Sequence, residues 1–196
     1  MTIDPAAIDF ASLDRAQLAD DGGRPLDALL LVTDDVAGAV AQAVTAGYAV
    51  MPTGGLTSAI ASYDYRTEGV AGLAGVLAIR PKSAPAAELV ATDTPTELLK
   101  THQVAIRRDQ GLVAAGAGLT LTQVNAALAD LTSIGSAFVG GVVATGAMGP
   151  LRMRPSCTLE AVALADGGPP RLLTGDDLDL VEGLQGWTGM VTAALF

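Results

Sequence analysis

The stretch Ala28-Leu29-Leu30-Leu31-Val32 is an unbroken apolar run, the pattern of a strand buried on both faces. Thr33 and Asp34 follow it with oxygens suited to capping a helix. Val36, Ala39, Val40, Ala43 and Val44 then recur at helical spacing, and Gly47 closes the segment. Tyr48-Ala49-Val50-Met51 is a second apolar run, stopped by Pro52. A strand, a helix and a strand joined this tightly predict a βαβ unit, with a parallel pair and a right-handed crossover.

Beyond it lies the loop Pro52-Thr53-Gly54-Gly55-Leu56-Thr57-Ser58, and then a Gly- and Tyr-containing stretch over 62–75 without clear period. Val76-Leu77-Ala78-Ile79 and Leu112-Val113-Ala114-Ala115-Gly116-Ala117 read as strands. Thr120 or Thr122 caps the next helix, whose apolar face is Val124, Ala127, Leu128 and Leu131. A glycine-rich loop spans 135–149. Ala161-Val162-Ala163-Leu164-Ala165 is a strand, Asp166-Gly167-Gly168-Pro169-Pro170 a turn, and Arg171-Leu172-Leu173 its hairpin return. Asp176 or Asp177 caps a short helix reaching Leu184, and a last strand runs from Met190 to Phe196. A chain ending inside an apolar run is expected to be a domain of a larger protein, or a subunit completed by a partner.

Composition narrows the function. A formal net charge of −10 and no basic run longer than Arg107-Arg108 disfavour nucleic acid, whose phosphates need Lys and Arg to neutralise them. An anionic ligand would be met mainly by backbone N–H groups. One cysteine, Cys157, and one histidine, His102, exclude an internal disulfide and leave no Cys/His metal set. Residues 1–20 are acidic and have no apolar core run, so they are not a signal peptide, and the expected location is cytoplasmic. The stretch 134–151 is uncharged, but its five glycines and Pro150 favour a buried loop over a membrane span. The chain has no G-x-x-x-x-G-K-[ST], no complete G-x-G-x-x-G and no G-x-S-x-G.

Two loops carry the chemistry. In 52–58, Gly54 and Gly55 allow close approach of a phosphate, Thr53, Thr57 and Ser58 add hydroxyls, and the loop follows a parallel strand, where open α/β sheets place ligands. In 139–149, four glycines bring backbone close to something flat or bulky. Taken alone, each loop is equally a turn or a tight packing of small residues.

Five segments in order resemble the FAD-binding domain of the vanillyl-alcohol oxidase and p-cresol methylhydroxylase type, the domain of D-lactate dehydrogenase and glycolate oxidase-like enzymes. They are Pro52-Thr53-Gly54-Gly55-Leu56-Thr57-Ser58; Gly116-Ala117-Gly118; Val139-Gly140-Gly141-Val142-Val143-Ala144-Thr145-Gly146-Ala147-Met148-Gly149; Val162-Ala163-Leu164-Ala165-Asp166-Gly167; and Gly186-Trp187-Thr188-Gly189-Met190-Val191-Thr192-Ala193-Ala194. The resemblance implies an α+β, two-lobed fold with mixed sheets around FAD. It implies an N-terminal extension over 1–27, a first lobe over 28–82, a second over 83–196, and no substrate domain. It further implies that Pro52, Thr53, Gly54, Gly55, Leu56, Thr57 and Ser58 bind the cofactor, with Thr53 to Thr57 meeting the pyrophosphate. Gly116, Gly140, Gly141, Ala144, Thr145 and Gly146 would line the cofactor's path, and Val191 would contact it through its backbone.

The family's usual Asp after the second loop is replaced by the Pro155-Ser156 region, and the first loop has no histidine. Non-covalent FAD is therefore expected, with His102 a surface or turn residue and Cys157 a small strand hydrophobe. Arg152 or Arg154 is a candidate to face a phosphate or the flavin, or is a solvated surface residue. Trp187 is expected in the core more than at the cofactor, and Tyr63 and Tyr65 are candidates for the ring's surroundings. The implied function is the FAD domain or subunit of an oxidoreductase acting on a small hydroxylated or carboxylated substrate, with a partner chain or separate domain supplying the catalytic residues. The alternatives are the FAD subunit of a molybdenum hydroxylase-like complex and a flavin-free structural subunit that keeps the fold.

Overall fold

The computed structural model describes residues 7–16, 27–54, 72–128, 138–146, 159–184 and 186–196. Strand β1 (Ala28–Thr33), helix α1 (Val36–Thr45) and strand β2 (Tyr48–Pro52) lie where the apolar pattern placed them. The cap is one residue later than expected. Asp35 Oδ1 accepts the Gly38 N–H at 2.9 Å, while Thr33 Oγ1 accepts the Asp35 N–H at 3.0 Å.

β1 and β2 are parallel but are not neighbours, because β3 (Gly75–Pro81) pairs with both, in the order β1-β3-β2. The physical reason is apolar content. Val76, Leu77, Ala78 and Ile79 are all buried, and such a run takes the centre of a parallel sheet, where both faces are covered. On one face Leu77 and Ile79 pack under Val36, Ala39, Val40 and Ala43 of α1. On the other, Val76 and Ala78 join Ala16, Ala28 and Met51.

The second sheet has six strands, in the order β4-β5-β6-β9-β7-β8. These are β4 (Glu88–Leu89), β5 (Gln103–Arg107), β6 (Leu112–Gly116), β7 (Ala161–Ala165), β8 (Arg171–Thr174) and β9 (Met190–Leu195). β4 runs parallel to β5 and the other pairs are antiparallel. The apolar pattern revealed neither β4 nor β5. The β7–β8 hairpin turns through 166–170 as expected, and Arg171 Nη2 meets Asp166 Oδ2 across it at 2.6 Å.

One face of this sheet presents Val104, Ala115, Val162, Leu164, Val191 and Ala194. It is covered by α2 (Leu121–Leu128) and α3 (Val139–Thr145). Thr120 begins α2 as half of a capping box: its Oγ1 accepts the Gln123 N–H at 3.2 Å, and Gln123 Oε1 accepts the Thr120 N–H at 2.8 Å. α1 also touches the second sheet, since Ala165 and Met190 belong to its apolar cluster. The architecture is thus α and β elements with two sheets, one parallel and one mixed.

Three expectations are corrected. The glycine-rich loop is helical over Val139–Thr145, because Val139 and Val143, one turn apart, are both buried against the sheet. Gly146 ends that helix in the left-handed conformation (φ 59°, ψ 33°), where a side chain would be strained. The segment after Thr174 is a 3-10 turn, Gly175–Leu180, that stops short of Leu184 and has no side-chain cap. Trp187 is no core residue, with 61% of its surface exposed.

Candidate functional site

The first loop leaves β2 at the carboxyl end of the parallel sheet, the edge at which open α/β sheets receive ligands. Thr53 is buried, and both its N–H and its Oγ1 donate to the Ile79 carbonyl, at 2.9 and 3.1 Å. Its hydroxyl therefore pins the loop to β3 and is not turned outward. Pro52 lies against Gly186, where an added Cβ would stand 2.7 Å from Pro52 Cγ. A Cβ at Gly54 would lie 3.8 Å from Phe138 Cβ. Gly55, Leu56, Thr57 and Ser58 lie outside the described residues.

Phe138 is the residue from which α3 starts, so the two glycine-bearing segments meet there. Val139 N–H donates to Leu119 O at 2.8 Å, and Gly140 N–H to Ala117 O at 3.3 Å. A Cβ at Gly140 would come within 2.9 Å of Ala117 Cβ and 3.5 Å of the Val191 carbonyl oxygen. Glycine at 140 thus lets α3 settle on β9 and on the end of β6. Gly141 is different: among the described residues, a Cβ there meets no atom within 4 Å.

Val191 is buried in a β-bulge. It stands opposite Leu164, and Ala193 stands opposite Ala163, so Thr192 is the extra residue. The Thr192 carbonyl accepts the Ala117 N–H at 2.8 Å. Ala117, Gly140 and Val191 therefore form one packed group under α3. Ala144 and Thr145 are half-buried, and Thr145 Oγ1 donates to Gly141 O at 2.7 Å. Gly146 sits at the far end of α3, where an added Cβ would be 3.6 Å from Gly183. Gly116 faces elsewhere: a Cβ would overlap the Lys100 carbonyl oxygen and lie 2.7 Å from that of Thr101. That contact explains the glycine by backbone packing alone.

The structure adds two residues that the sequence patterns did not single out, Phe138 and Arg80, and sets Gly186, the first residue of the fifth segment, against Pro52. Arg80 follows the apolar run of β3 directly, pairs in register with Val32 of β1, and precedes Pro81. Its Nε is shielded from solvent and has no hydrogen-bond partner among the described residues. The only sequence signal was a cation placed at the end of a buried strand. This orphaned donor belongs to the residue next to Ile79, whose carbonyl holds Thr53.

His102 is a turn residue at the β4–β5 edge. Its Nε2 lies 3.1 Å from Glu88 Oε2, outside the group around Phe138. Cys157, Arg152, Arg154, Tyr63 and Tyr65 lie outside the described residues. Among the described residues no cluster of His, Cys, Asp and Glu could hold a metal ion, and no helix is long and apolar enough to cross a membrane.

Parallel three-stranded sheet, mixed six-stranded sheet and covering helices together make the p-cresol methylhydroxylase-type FAD-binding fold. The chain is structurally similar to an alkyldihydroxyacetonephosphate synthase, with a TM-score of 0.61 and 14% identity over 88% of this chain and 31% of that one. It is similar to BBE-like 1 of Physcomitrella patens, with a TM-score of 0.60 and 19% identity over 98% of this chain and 40% of that one. It is also similar to a cholesterol oxidase from Brevibacterium sterolicum, with a TM-score of 0.56 and 14% identity over 98% and 39%. The chain therefore spans 31–40% of the length of these three structures. No family model matches the sequence, and neither does any curated protein.

Proposed function

We propose that this chain binds FAD without a covalent bond, as the cofactor domain or subunit of a flavin-dependent oxidoreductase acting on a small hydroxylated or carboxylated substrate. The observation that carries this reading is the meeting of Gly54 with Phe138. It joins the loop at the carboxyl end of the parallel sheet to the start of α3, within a fold whose solved examples include oxidases. Lobe boundaries at 28–82 and 83–196 follow, one contributing the first loop and the other α3 and β9. A cytoplasmic setting completes the reading.

FAD, when bound, supplies the hydride- or electron-accepting chemistry. The chain's own residues hold and shield it. Thr53, between Pro52 and Gly54, fixes the loop through the Ile79 carbonyl, and Gly55, Leu56, Thr57 and Ser58, outside the described residues, are the loop's further proposed cofactor contacts. Gly140 and Gly141 keep α3 close to β9 and bare on its open side, with Ala144, Thr145 and Gly146 continuing the same wall and the Val191 backbone beneath it. Gly116 packs against the Lys100 and Thr101 carbonyls, away from this wall. General acid–base groups would come from a partner chain or a further domain.

A second reading is a flavin-free structural subunit. It is favoured by Thr53, whose N–H and hydroxyl both serve the Ile79 carbonyl. An absorption spectrum of the purified protein, before and after acid precipitation, separates the two. Flavin bands released into the supernatant support non-covalent FAD, and colour kept in the pellet means a covalent bond. A colourless protein that takes up no added FAD leaves the structural subunit.

A further inference from the structure

The chain passes between its two sheets once, through 82–87, where β3 gives way to β4. A single short connection of this kind is the usual place for a hinge, and units joined by one move against each other unless something else ties them. Here the connection is tied on both sides. The Lys82 N–H donates to the Thr33 carbonyl of β1 at 2.7 Å, while the Lys82 carbonyl accepts from Thr101 Oγ1 at 3.2 Å. The Ala84 carbonyl accepts from Gln123 Nε2 of α2, and Ala87 packs on the apolar cluster that α2 and α3 cover. Gly118 completes the joint: a Cβ there would stand 2.9 Å from the Lys82 carbonyl oxygen and 3.1 Å from Pro81 Cβ. A hinge works by letting a few residues change φ and ψ. Lys82, at the start of the connection, has both its N–H and its carbonyl engaged.

Two further contacts lie away from that joint. Pro52, at the end of β2, meets Gly186, where an added Cβ would come within 2.7 Å of Pro52 Cγ. Val44, in the last turn of α1, meets Gly167 in the β7–β8 turn, with Cγ2 at 3.3 Å from an added Cβ, and Ala165 and Met190 extend the same contact. Pro52 and Pro81 end neighbouring strands at the carboxyl edge of the first sheet. Val44 precedes β2 and so stands at the opposite edge, on the helix side. The three contacts are therefore not in line. Two contacts leave an axis of rotation, and a third placed off that axis removes it.

We propose that the two sheets and their helices form one preset body in the ligand-free chain, with no lobe closure when a ligand enters. The approach of Gly54 to Phe138 is then fixed before binding. The competent state is the ground state, and no binding free energy goes into shifting a population. The flavin reading supplies only the identity of the ligand, since the joint is a property of the empty chain.

The test places one spin label on each sheet, by Val32→Cys and Leu172→Cys in a Cys157→Ser background, and measures their separation by pulsed dipolar spectroscopy with and without FAD. Val32 and Leu172 are 49% and 45% exposed, so the labels displace no core. One narrow distance distribution is expected, moving by less than about 2 Å when FAD is added. Gly167→Ala with Gly186→Ala, which wedges Val44 and Pro52 away, is expected to broaden it. The wild-type distribution decides the matter even where that variant fails to fold. A broad or two-peaked distribution in the ligand-free chain overturns the proposal, and so does a shift of more than about 2 Å at saturating FAD. An unbroadened distribution in the folded double variant overturns the role of the two glycine contacts. A narrow distribution in a chain that takes up no FAD upholds the joint and removes the flavin reading, so the two failures are distinguishable.

Discussion

Replacing Gly141 by alanine separates the needs of the fold from those of the ligand. Gly141 is the third residue of α3, and a Cβ built there has no atom of the described residues within 4 Å. The described residues therefore give no steric reason for glycine. Exchanging glycine for alanine within a helix stabilises it by about 0.5–1 kcal/mol, by reducing the freedom of the unfolded chain. Because α3 has only seven residues, the lower end of that range is expected. A ligand lying on the bare Cα would have to move away from the new methyl group. A loss of about tenfold in FAD affinity, or ~1.4 kcal/mol, is the expected scale. Urea unfolding measures the first effect and flavin fluorescence titration the second. Unchanged FAD affinity in a protein of equal or greater stability would refute the placing of the cofactor over α3. A loss of stability would refute the openness of this side of the helix. Gly140→Ala is the internal contrast. Its Cβ would crowd Ala117 Cβ at 2.9 Å, so a destabilisation of about 1–3 kcal/mol is expected even without ligand.

Other substitutions test separate links in the account. Gly116→Ala forces a methyl group into the Lys100 and Thr101 carbonyls, and a destabilisation of about 3 kcal/mol or more in denaturant titration is expected, with no soluble protein as the extreme case. Asp35→Ala removes the carboxylate that caps α1, and a loss of about 1 kcal/mol is expected by the same measurement. Val143→Ala opens space in a fully buried site between α3 and the sheet. About 2 kcal/mol should be lost, with FAD affinity falling in parallel if α3 positions the cofactor.

The helix and strands of the first sheet were legible because their apolar residues are periodic and their ends are marked, by Asp34-Asp35 before α1 and Pro52 after β2. Strand order was not, because β3 enters between β1 and β2 only through burial. β5 escaped notice since Gln103-Val104-Ala105-Ile106-Arg107 is short and flanked by charge, and β4 since two residues carry no period. α3 was hidden by composition. Two glycines in its first turn argue for a loop, and what overrides them is tertiary: Val139 and Val143 buried on one side, and Ala117 allowing Gly140 to come close.

The candidate site was legible in part for the same reason. Glycine motifs mark where backbones come close, but not what they come close to. Gly116 meets the protein's own carbonyls, Gly140 meets Ala117, and Gly141 meets none of the described residues. Arg80 carries no motif at all, and its interest comes from a missing acceptor that no one-dimensional pattern records.

The most direct measurement of the central claim is a calorimetric titration of the purified chain with FAD. The expected result is saturable binding of one FAD per chain, with the flavin recovered intact after acid precipitation. A chain that folds cooperatively yet gives no binding heat and no flavin fluorescence change with FAD would contradict it, and the fold would then serve a purpose other than holding this cofactor.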